Sequence, residues 1–248
     1  MTLRRILIAA PIMVVAAIVA AGAFWWFFVR EDNSLATSAP AIPADLVGSG
    51  SPTAGAGVVS TPGAASPDGA LTFTIISDRS EAAYFAGETL ASIGVPSTAK
   101  GSTTDISGAF HLLPDGSLDP SQPTTFTVDL RTLRSDKSMR DDKVQNIALQ
   151  TSTYPKATFT AKSVTGWDSS IPAGQEQTLK LSGTLDLHGV QKDVTWDVKA
   201  RKDGQVITAL ATLNFKYADF NIPILNIGGF VAVQDNVTLQ VQVVAQQS

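Results

Sequence analysis

The sequence predicts an all-β protein: an eight-stranded antiparallel barrel with a short helical insertion, preceded by one transmembrane helix and a disordered linker. Three observations lead to this prediction. Residues 6–29 form an uncharged apolar run, residues 33–69 are rich in Ala, Ser, Pro and Gly, and from residue 71 onward apolar and polar residues alternate. An alternation with a period of two is typical of strands that bury one face. The predicted parts are therefore the tail and anchor (1–32), the linker (33–69) and the barrel domain (70–248).

The apolar run at residues 6–29 is long enough to cross a bilayer, because a spanning helix needs about 20 apolar residues. Arg4 and Arg5 precede the run, whereas only Arg30 follows it directly. Basic residues are favoured on the cytoplasmic side, so the tail is predicted to be cytoplasmic and the barrel domain extracytoplasmic. The aromatic residues 24–28 at the outer end are typical of a headgroup belt. We therefore expect a single-pass membrane protein.

A cleaved signal peptide is the alternative interpretation of the same segment. Ala21, Gly22 and Ala23 match the small-residue pattern of a cleavage site. The apolar run, however, exceeds the roughly 7–15 residues usual in signal peptides, and cleavage would leave an aromatic, apolar N-terminus. These two points favour the uncleaved anchor. Secretion after cleavage remains the second interpretation, and both export the barrel domain.

The linker at residues 33–69 has few charges and no aromatic residue. Such a composition buries too little apolar surface to offset the entropy of ordering, so it predicts disorder. A flexible segment of this length has a root-mean-square span of roughly 30–35 Å. The barrel is therefore expected to stay within a few nanometres of the bilayer.

Eight alternating segments predict the strands of the barrel. Turn signals such as His188-Gly189 and Asp203-Gly204 separate them. Clean alternation is typical of antiparallel sheets, and eight strands suffice to close a barrel without exposed edges. Residues 137–149 are charged and do not alternate, which predicts a short helix that Ser135 or Asp136 could cap. The segments are residues 71–75, 106–112, 125–130, 157–162, 181–187, 194–199, 209–217 and 237–243.

Composition argues against several kinds of chemistry. The chain has no cysteine, which excludes disulfides, thiolate catalysis and thiolate metal sites. His111 and His188 are the only histidines and have no partners at ligand spacing, so we expect no metal site and place both in turns or at the surface. A net charge of −4 with scattered basic residues predicts no nucleic-acid binding. Nucleophile and phosphate-loop motifs are absent, so the sequence predicts neither an enzyme nor a cofactor.

Several inward positions are small, and small residues in a barrel wall leave volume inside. Eight-stranded barrels can enclose a ligand, but a filled core is equally compatible with the pattern. If a cavity exists, replacing Ala157 or Gly183 with Trp should fill it and abolish binding without unfolding the domain. The small positions are Ala82, Ala86, Gly108, Ala157, Ala161, Gly183, Ala209 and Ala211.

Three ordered motifs mark the barrel domain. Residues 73–85 open it, Ser135-Asp136 with Arg140-Asp141 and Tyr154-Pro155 form the middle, and residues 181–190 end on His188-Gly189-Val190. The stretch from residue 73 to the end thereby resembles the YceI-like family of lipid- and polyisoprenoid-binding proteins. The resemblance implies a lipocalin-like barrel with a long apolar pocket for an isoprenoid chain or a similar amphiphile.

Together with the N-terminal apolar run, this resemblance leads us to expect a membrane-tethered, extracytoplasmic binding protein whose ligand is an isoprenoid lipid or a quinone-like molecule. The alternative is an envelope interaction or structural module with a filled barrel and no ligand. Tyr84 and Trp196 could also contact a polar headgroup. Residues 220–230 could form a lid or pack into the core. The predicted pocket wall is Phe73, Ile75, Tyr84, Phe110, Phe126, Val128, Phe159, Leu185, Trp196, Val198 and Phe215.

Overall fold

The computed structural model describes residues 33–47, 69–90, 95–227 and 231–248. The chain divides into two units, residues 1–34 and residues 35–248, and every element named here lies in the second. The strands are β1 (Leu71–Ile75), β2 (Glu81–Leu90), β3 (Val95–Thr103), β4 (Ile106–Leu112), β5 (Thr125–Asp129), β6 (Arg134–Ser135), β7 (Lys156–Thr165), β8 (Gln177–Leu187), β9 (Val190–Asp203), β10 (Val206–Phe215), β11 (Asn226–Ile227) and β12 (Val231–Gln247). The helices are α1 (Ala44–Val47) and α2 (Ser138–Lys143), which continues into a π-helical turn (Val144–Ala148). Short 3₁₀ turns occupy Ser77–Arg79, Leu130–Thr132 and Tyr217–Phe220.

In the described residues these strands form one closed antiparallel barrel of eight strands. Three barrel strands are interrupted: β1 with β2, β3 with β4, and β5 with β6 each act as one bent strand. Neighbours along the chain are neighbours in the barrel, and the long β12 pairs with both β1 and β2 to close the ring. The predicted all-β, eight-stranded antiparallel barrel with a short helix is confirmed.

The hairpin between β8 and β9 shows how local sequence sets the register. His188 and Gly189 have φ angles of +54° and +74°, and they form the two-residue loop between paired Leu187 and Val190. Two consecutive residues with positive φ match the twist of the flanking strands, which fixes the pairing. The inward residues Trp196 and Val198 of β9 are buried as a result, and Asp197 between them is exposed.

The helical insertion lies where the sequence predicts it, but neither Ser135 nor Asp136 caps its first turn. Lys137 occupies the N-cap position and makes no side-chain cap. Instead, the Asp141 carboxylate accepts hydrogen bonds from the backbone N–H (2.8 Å) and hydroxyl (2.7 Å) of Ser135, while Arg140 pairs with Asp136. The motif residues of this segment therefore hold α2 against the end of the barrel.

The first part of the segment expected to be a disordered linker takes a defined path on the barrel. We call residues 35–47 the N-terminal strap. The Gln240 side chain accepts from the Ala36 N–H and donates to its carbonyl, both at 2.9 Å. Farther along, the Ala39 N–H donates to Glu176 (2.8 Å), and Thr208 donates to the Pro40 carbonyl (2.7 Å). The composition of the segment suggested disorder because it offers little apolar surface, but outward-facing polar side chains of the barrel bind its backbone.

Burial on the outer wall shows where the strap lies. Thr208 and Gln240 alternate with cavity-lining neighbours on β10 and β12, so their side chains point away from the barrel interior. Both are nevertheless buried, at 0% and 4% exposure. Asp45 on α1 then pairs with Arg79 through two hydrogen bonds of 3.0 and 2.7 Å. The strap thus follows the outer wall from β12 to the turn after β1.

Among the described residues, no helix is both long enough and apolar enough to cross a membrane. The predicted membrane helix, residues 6–29, lies outside the described part of the chain.

Candidate ligand-binding cavity

The barrel encloses a cavity of about 210 Å³. Inward-facing side chains of the strands form most of its wall, and the helical insertion and the segment after β10 complete it. The barrel is therefore hollow, which argues against the filled core that the sequence left open.

Nine of the eleven predicted pocket residues line this cavity, and their role in ligand binding stays a prediction. Phe73 and Ile75 do not line it. Both belong to the packed core, where Phe73 has no exposed surface. At β1, side chains fill the interior of the barrel. Strand alternation shows that a residue faces inward, but it does not show whether the space there is filled or open. The nine are Tyr84, Phe110, Phe126, Val128, Phe159, Leu185, Trp196, Val198 and Phe215.

Four aromatic rings form a continuous band on the cavity wall. Ring centroids lie 4.8 Å apart between Phe110 and Phe126, 6.4 Å between Phe126 and Phe159, and 5.9 Å between Phe159 and Trp196. The first three rings come from neighbouring strands β4, β5 and β7, which brings successive inward positions side by side. The band gives one side of the cavity a rigid apolar surface.

The small inward residues serve two different purposes. Ala82, Ala157, Ala209 and Ala211 line the cavity and leave its space open. Gly183 does not, because a Cβ there would lie 2.2 Å from the Thr160 carbonyl oxygen and 2.6 Å from the Phe159 ring. The ring occupies the space above the glycine. The expectation that Trp at position 183 would fill the cavity without unfolding the domain is therefore wrong, whereas Ala157 remains a suitable site.

Sequence reasoning missed five cavity-lining residues outside the regular strands. They come from the 3₁₀ turn after β5 and from the helical insertion, namely Leu130, Leu133, Val144, Ala148 and Leu149. This segment was identified as helical from its charges and its lack of alternation. The sequence did not show which of its apolar residues face the cavity, because the helical pieces here are too short for an apolar face to repeat.

The segment after β10 takes both roles that the sequence left open. Phe220 is 1% exposed and packs against Phe215 at 5.0 Å between ring centroids, so it belongs to the core. Ile222 and Leu225 line the cavity, as does Tyr217 at the start of the segment. Residues 228–230 lie outside the described part of the chain.

Among the described residues, three cavity-lining side chains carry a polar group: Tyr84, Tyr217 and Trp196. Burial raises the pKa of Tyr217 to about 12 and raises the pKa of Tyr84 still further, so both phenols are protonated at neutral pH. Trp196 is 5% exposed, and its indole N–H has no hydrogen-bond partner among the described residues. All three groups are uncharged hydrogen-bond donors.

The two histidines lie apart and are held locally. His111 contacts the Thr72 hydroxyl through Nδ1 at 3.1 Å, and His188 contacts the Phe220 carbonyl through Nδ1 at 3.1 Å. His188 occupies the predicted turn but is buried, at 8% exposure. Within the described residues no group of three His, Cys, Asp or Glu side chains could hold a metal ion.

Comparison with known proteins places this barrel in a family. The model of the YceI-like domain matches residues 73–245. The chain belongs to the YceI-like domain family. The match spans the barrel except for two residues at each end, and it confirms the resemblance seen in the sequence motifs. The strap lies outside the matched YceI-like domain.

Two solved structures share the fold of this YceI-like chain. A polyisoprenoid-binding domain from Saccharophagus degradans, implicated in plant cell wall breakdown, has 17% identity and a TM-score of 0.54, covering 72% of this chain and 99% of that one. BcnA from Burkholderia cenocepacia has 22% identity and a TM-score of 0.50, covering 69% and 99%. At these identities the likeness establishes the fold alone. The comparison with curated proteins found no match.

Proposed function

We propose that this chain is a membrane-tethered, extracytoplasmic protein that binds an isoprenoid or a similar amphiphilic lipid inside its barrel, for transport, storage or sequestration. The observation that carries the proposal is the cavity, where the side chains of the described wall are hydrocarbon apart from two phenols and one indole N–H. Apolar pockets with a few polar groups are typical of sites for hydrophobic ligands. The name of the Saccharophagus degradans relative, a polyisoprenoid-binding domain, supports the same ligand class.

The chemistry of the described wall supports binding rather than catalysis. Proton transfer near neutral pH needs a group whose pKa lies near that pH. The titratable groups on the described wall are Tyr84 and Tyr217, and burial moves the pKa of both away from neutrality. The wall therefore favours holding a ligand unchanged.

Membrane tethering is part of the proposal on sequence grounds. Residues 6–29 are apolar and uncharged, and Arg4 and Arg5 precede them. Prenyl lipids reside in bilayers, so a tethered barrel would remain near its source of ligand. The tether would raise the local ligand concentration without adding any contact to the site.

Chain length should control affinity. Ligands of this size gain about 0.3 kcal/mol per non-hydrogen atom, so each five-carbon unit should add about 1.5 kcal/mol, or roughly tenfold in Kd. The gain should stop once the cavity is filled. A series of prenyl alcohols of increasing length, each competed against a fluorescent prenyl alcohol for the full chain, measures this dependence.

The decisive experiment is extraction of lipids from the purified full chain, followed by mass spectrometry. We expect a prenyl lipid in the wild type and its loss in Ala157→Trp, since Ala157 lines the cavity. Thr160→Trp is the matched control, because Thr160 is exposed on the outer face of the same strand. A full chain that takes up no prenyl lipid even when one is offered would contradict the proposal. Equal lipid content in wild type and Ala157→Trp would contradict the assignment of the site.

A further inference from the structure

The helical insertion and the segment after β10 meet at one end of the barrel. The His188 ring of the β8–β9 turn connects them: its centroid lies 4.6 Å from that of Tyr154, and its Nδ1 lies 3.1 Å from the Phe220 carbonyl oxygen. Both segments also contribute to the cavity wall, through Ala148 and Leu225 respectively. We call this part of the barrel, residues 130–155, 188–189 and 216–225, the insertion end.

The same two segments expose apolar side chains to solvent. Among the described residues of the barrel domain, the exposed large apolar side chains are Met139 (68%), Ile147 (43%) and Ile224 (48%). Met139 and Ile147 are about two helical turns apart, so they lie on one face of the insertion. Ala148 and Leu225, which line the cavity, are the next residues after Ile147 and Ile224. Each segment therefore contributes to the cavity wall and also presents hydrocarbon to water.

The charges of α2 balance. Within Ser138–Lys143, the cations Arg140 and Lys143 are matched by Asp141 and Asp142. A surface binds a bilayer through buried apolar area and through attraction of its cations to anionic lipids. With no net charge on α2, the apolar side chains are the main source of affinity, and a neutral lipid surface is a suitable partner.

The N-terminal strap starts on the wall near this end and runs away from it. Gln240 binds Ala36 and also donates to Thr212 at 3.3 Å, three residues before the end of β10. Thr208, near the start of β10, binds Pro40. The proposed tether precedes the strap in the sequence, so it joins the barrel domain at the strap terminus that lies toward the insertion end.

We propose that the insertion end docks on the surface of a lipid bilayer, with Met139, Ile147 and Ile224 buried among the headgroups, and that ligand passes there between bilayer and cavity. This inference rests on the proposed function and adds the surface through which the site is loaded. The exposed apolar side chains lie on segments that also line the cavity. The direction of the strap independently favours the same end.

Site-directed spin labels test the docking, because the chain has no cysteine and one introduced cysteine takes the label alone. Met139→Cys, Ile147→Cys and Ile224→Cys are labelled in the full chain, with one chain per phosphatidylcholine nanodisc. We expect oxygen, which concentrates in lipid, to relax these three labels at least about threefold more than a water-soluble nickel chelate does. Ser169→Cys, exposed in the loop between β7 and β8 at the opposite end, should show the reverse.

Two results would overturn the docking. Labels that the chelate reaches as readily at the three positions as at Ser169 would place the insertion end in water. Labels shielded from both reagents would place it against protein instead of lipid.

A second experiment tests loading through this surface. A fluorescent prenyl alcohol is added to vesicles that contain the full chain and a quencher lipid, and its fluorescence rises as it leaves the bilayer for the barrel. The double variant Ile147→Asn, Ile224→Asn should slow this rise at least about tenfold, the effect of losing the burial of about one apolar side chain. Equilibrium uptake in detergent should be unchanged, since neither residue lines the cavity.

Val47→Asn is the matched control for loading, because Val47 is also 43% exposed but lies on the strap. It should load at the rate of the wild type. A double variant that loads as fast as the wild type would overturn the loading role. A wild type that takes up no prenyl alcohol even in detergent would contradict the proposed function, whereas the spin labels would still decide whether the insertion end docks.

Discussion

The contact between Gln240 and the strap predicts a measurable free energy of docking. Gln240→Ala removes two hydrogen bonds to Ala36, each 2.9 Å long. A net contribution of about 0.5–1.5 kcal/mol per bond gives a loss of about 1–3 kcal/mol. Because the barrel core lies elsewhere, the loss should appear as local opening of the strap rather than as global unfolding. The barrel should therefore keep its urea midpoint while the strap detaches.

Amide hydrogen exchange measures this local opening directly. The N–H groups of Ala36 and Ala39 donate to barrel side chains, so both should be protected in the wild type. In Gln240→Ala the protection at Ala36 should fall by roughly 5- to 150-fold, which corresponds to the same 1–3 kcal/mol. Gln242→Ala, on the same face two residues along β12, is the control and should change neither amide. Unprotected amides in the wild type, or equal effects of the two variants, would refute the docked strap.

Three further predictions concern the barrel itself. Gly183→Ala should destabilise the domain by about 1–3 kcal/mol in urea unfolding, because its Cβ would lie 2.2 Å from the backbone oxygen of Thr160; an unchanged midpoint would contradict this. In Gly101→Ala the new Cβ would lie 2.3 Å from the Tyr84 ring, and because this side chain can move, the fold should persist. The affinity for geranylgeraniol should drop about tenfold as Tyr84 is displaced. Unchanged affinity would show that the position of Tyr84 does not affect binding. Hydrogen bonds from Ser121 lower the pKa of Asp119, so its stabilising effect should be complete above the unfolded value of about 3.9 and be lost as the pH falls through the folded value. Thermal unfolding between pH 7 and pH 2 should then depend less on pH in Asp119→Asn, and an identical profile in both proteins would count against this contribution.

The sequence predicted one segment of each of the eight barrel strands, because the evidence for a strand is local, but it did not predict β2 or β3. Alternation along each strand assigns faces, and the positive-φ turn at His188 and Gly189 sets a register that does not depend on distant residues. Nine of the eleven residues predicted for the pocket wall line the cavity, and eight of these nine lie in the alternating segments; Tyr84 lies outside them. The family motifs added the ligand class, but only as an expectation.

Other features depend on contacts between segments far apart in the chain, and only the tertiary structure decided them. Phe73 and Phe110 both face inward, yet one lies in packed core and the other at the cavity, since packing depends on every strand at once. The strap appears disordered by composition, but Gln240, more than 200 residues away, binds its backbone. Arg140 is a cation in the sequence, whereas the fold places Glu88 and Asp136 beside it and neutralises its charge. Periodicity records which way a side chain points; the space in front of it and the charge beside it are set by the fold.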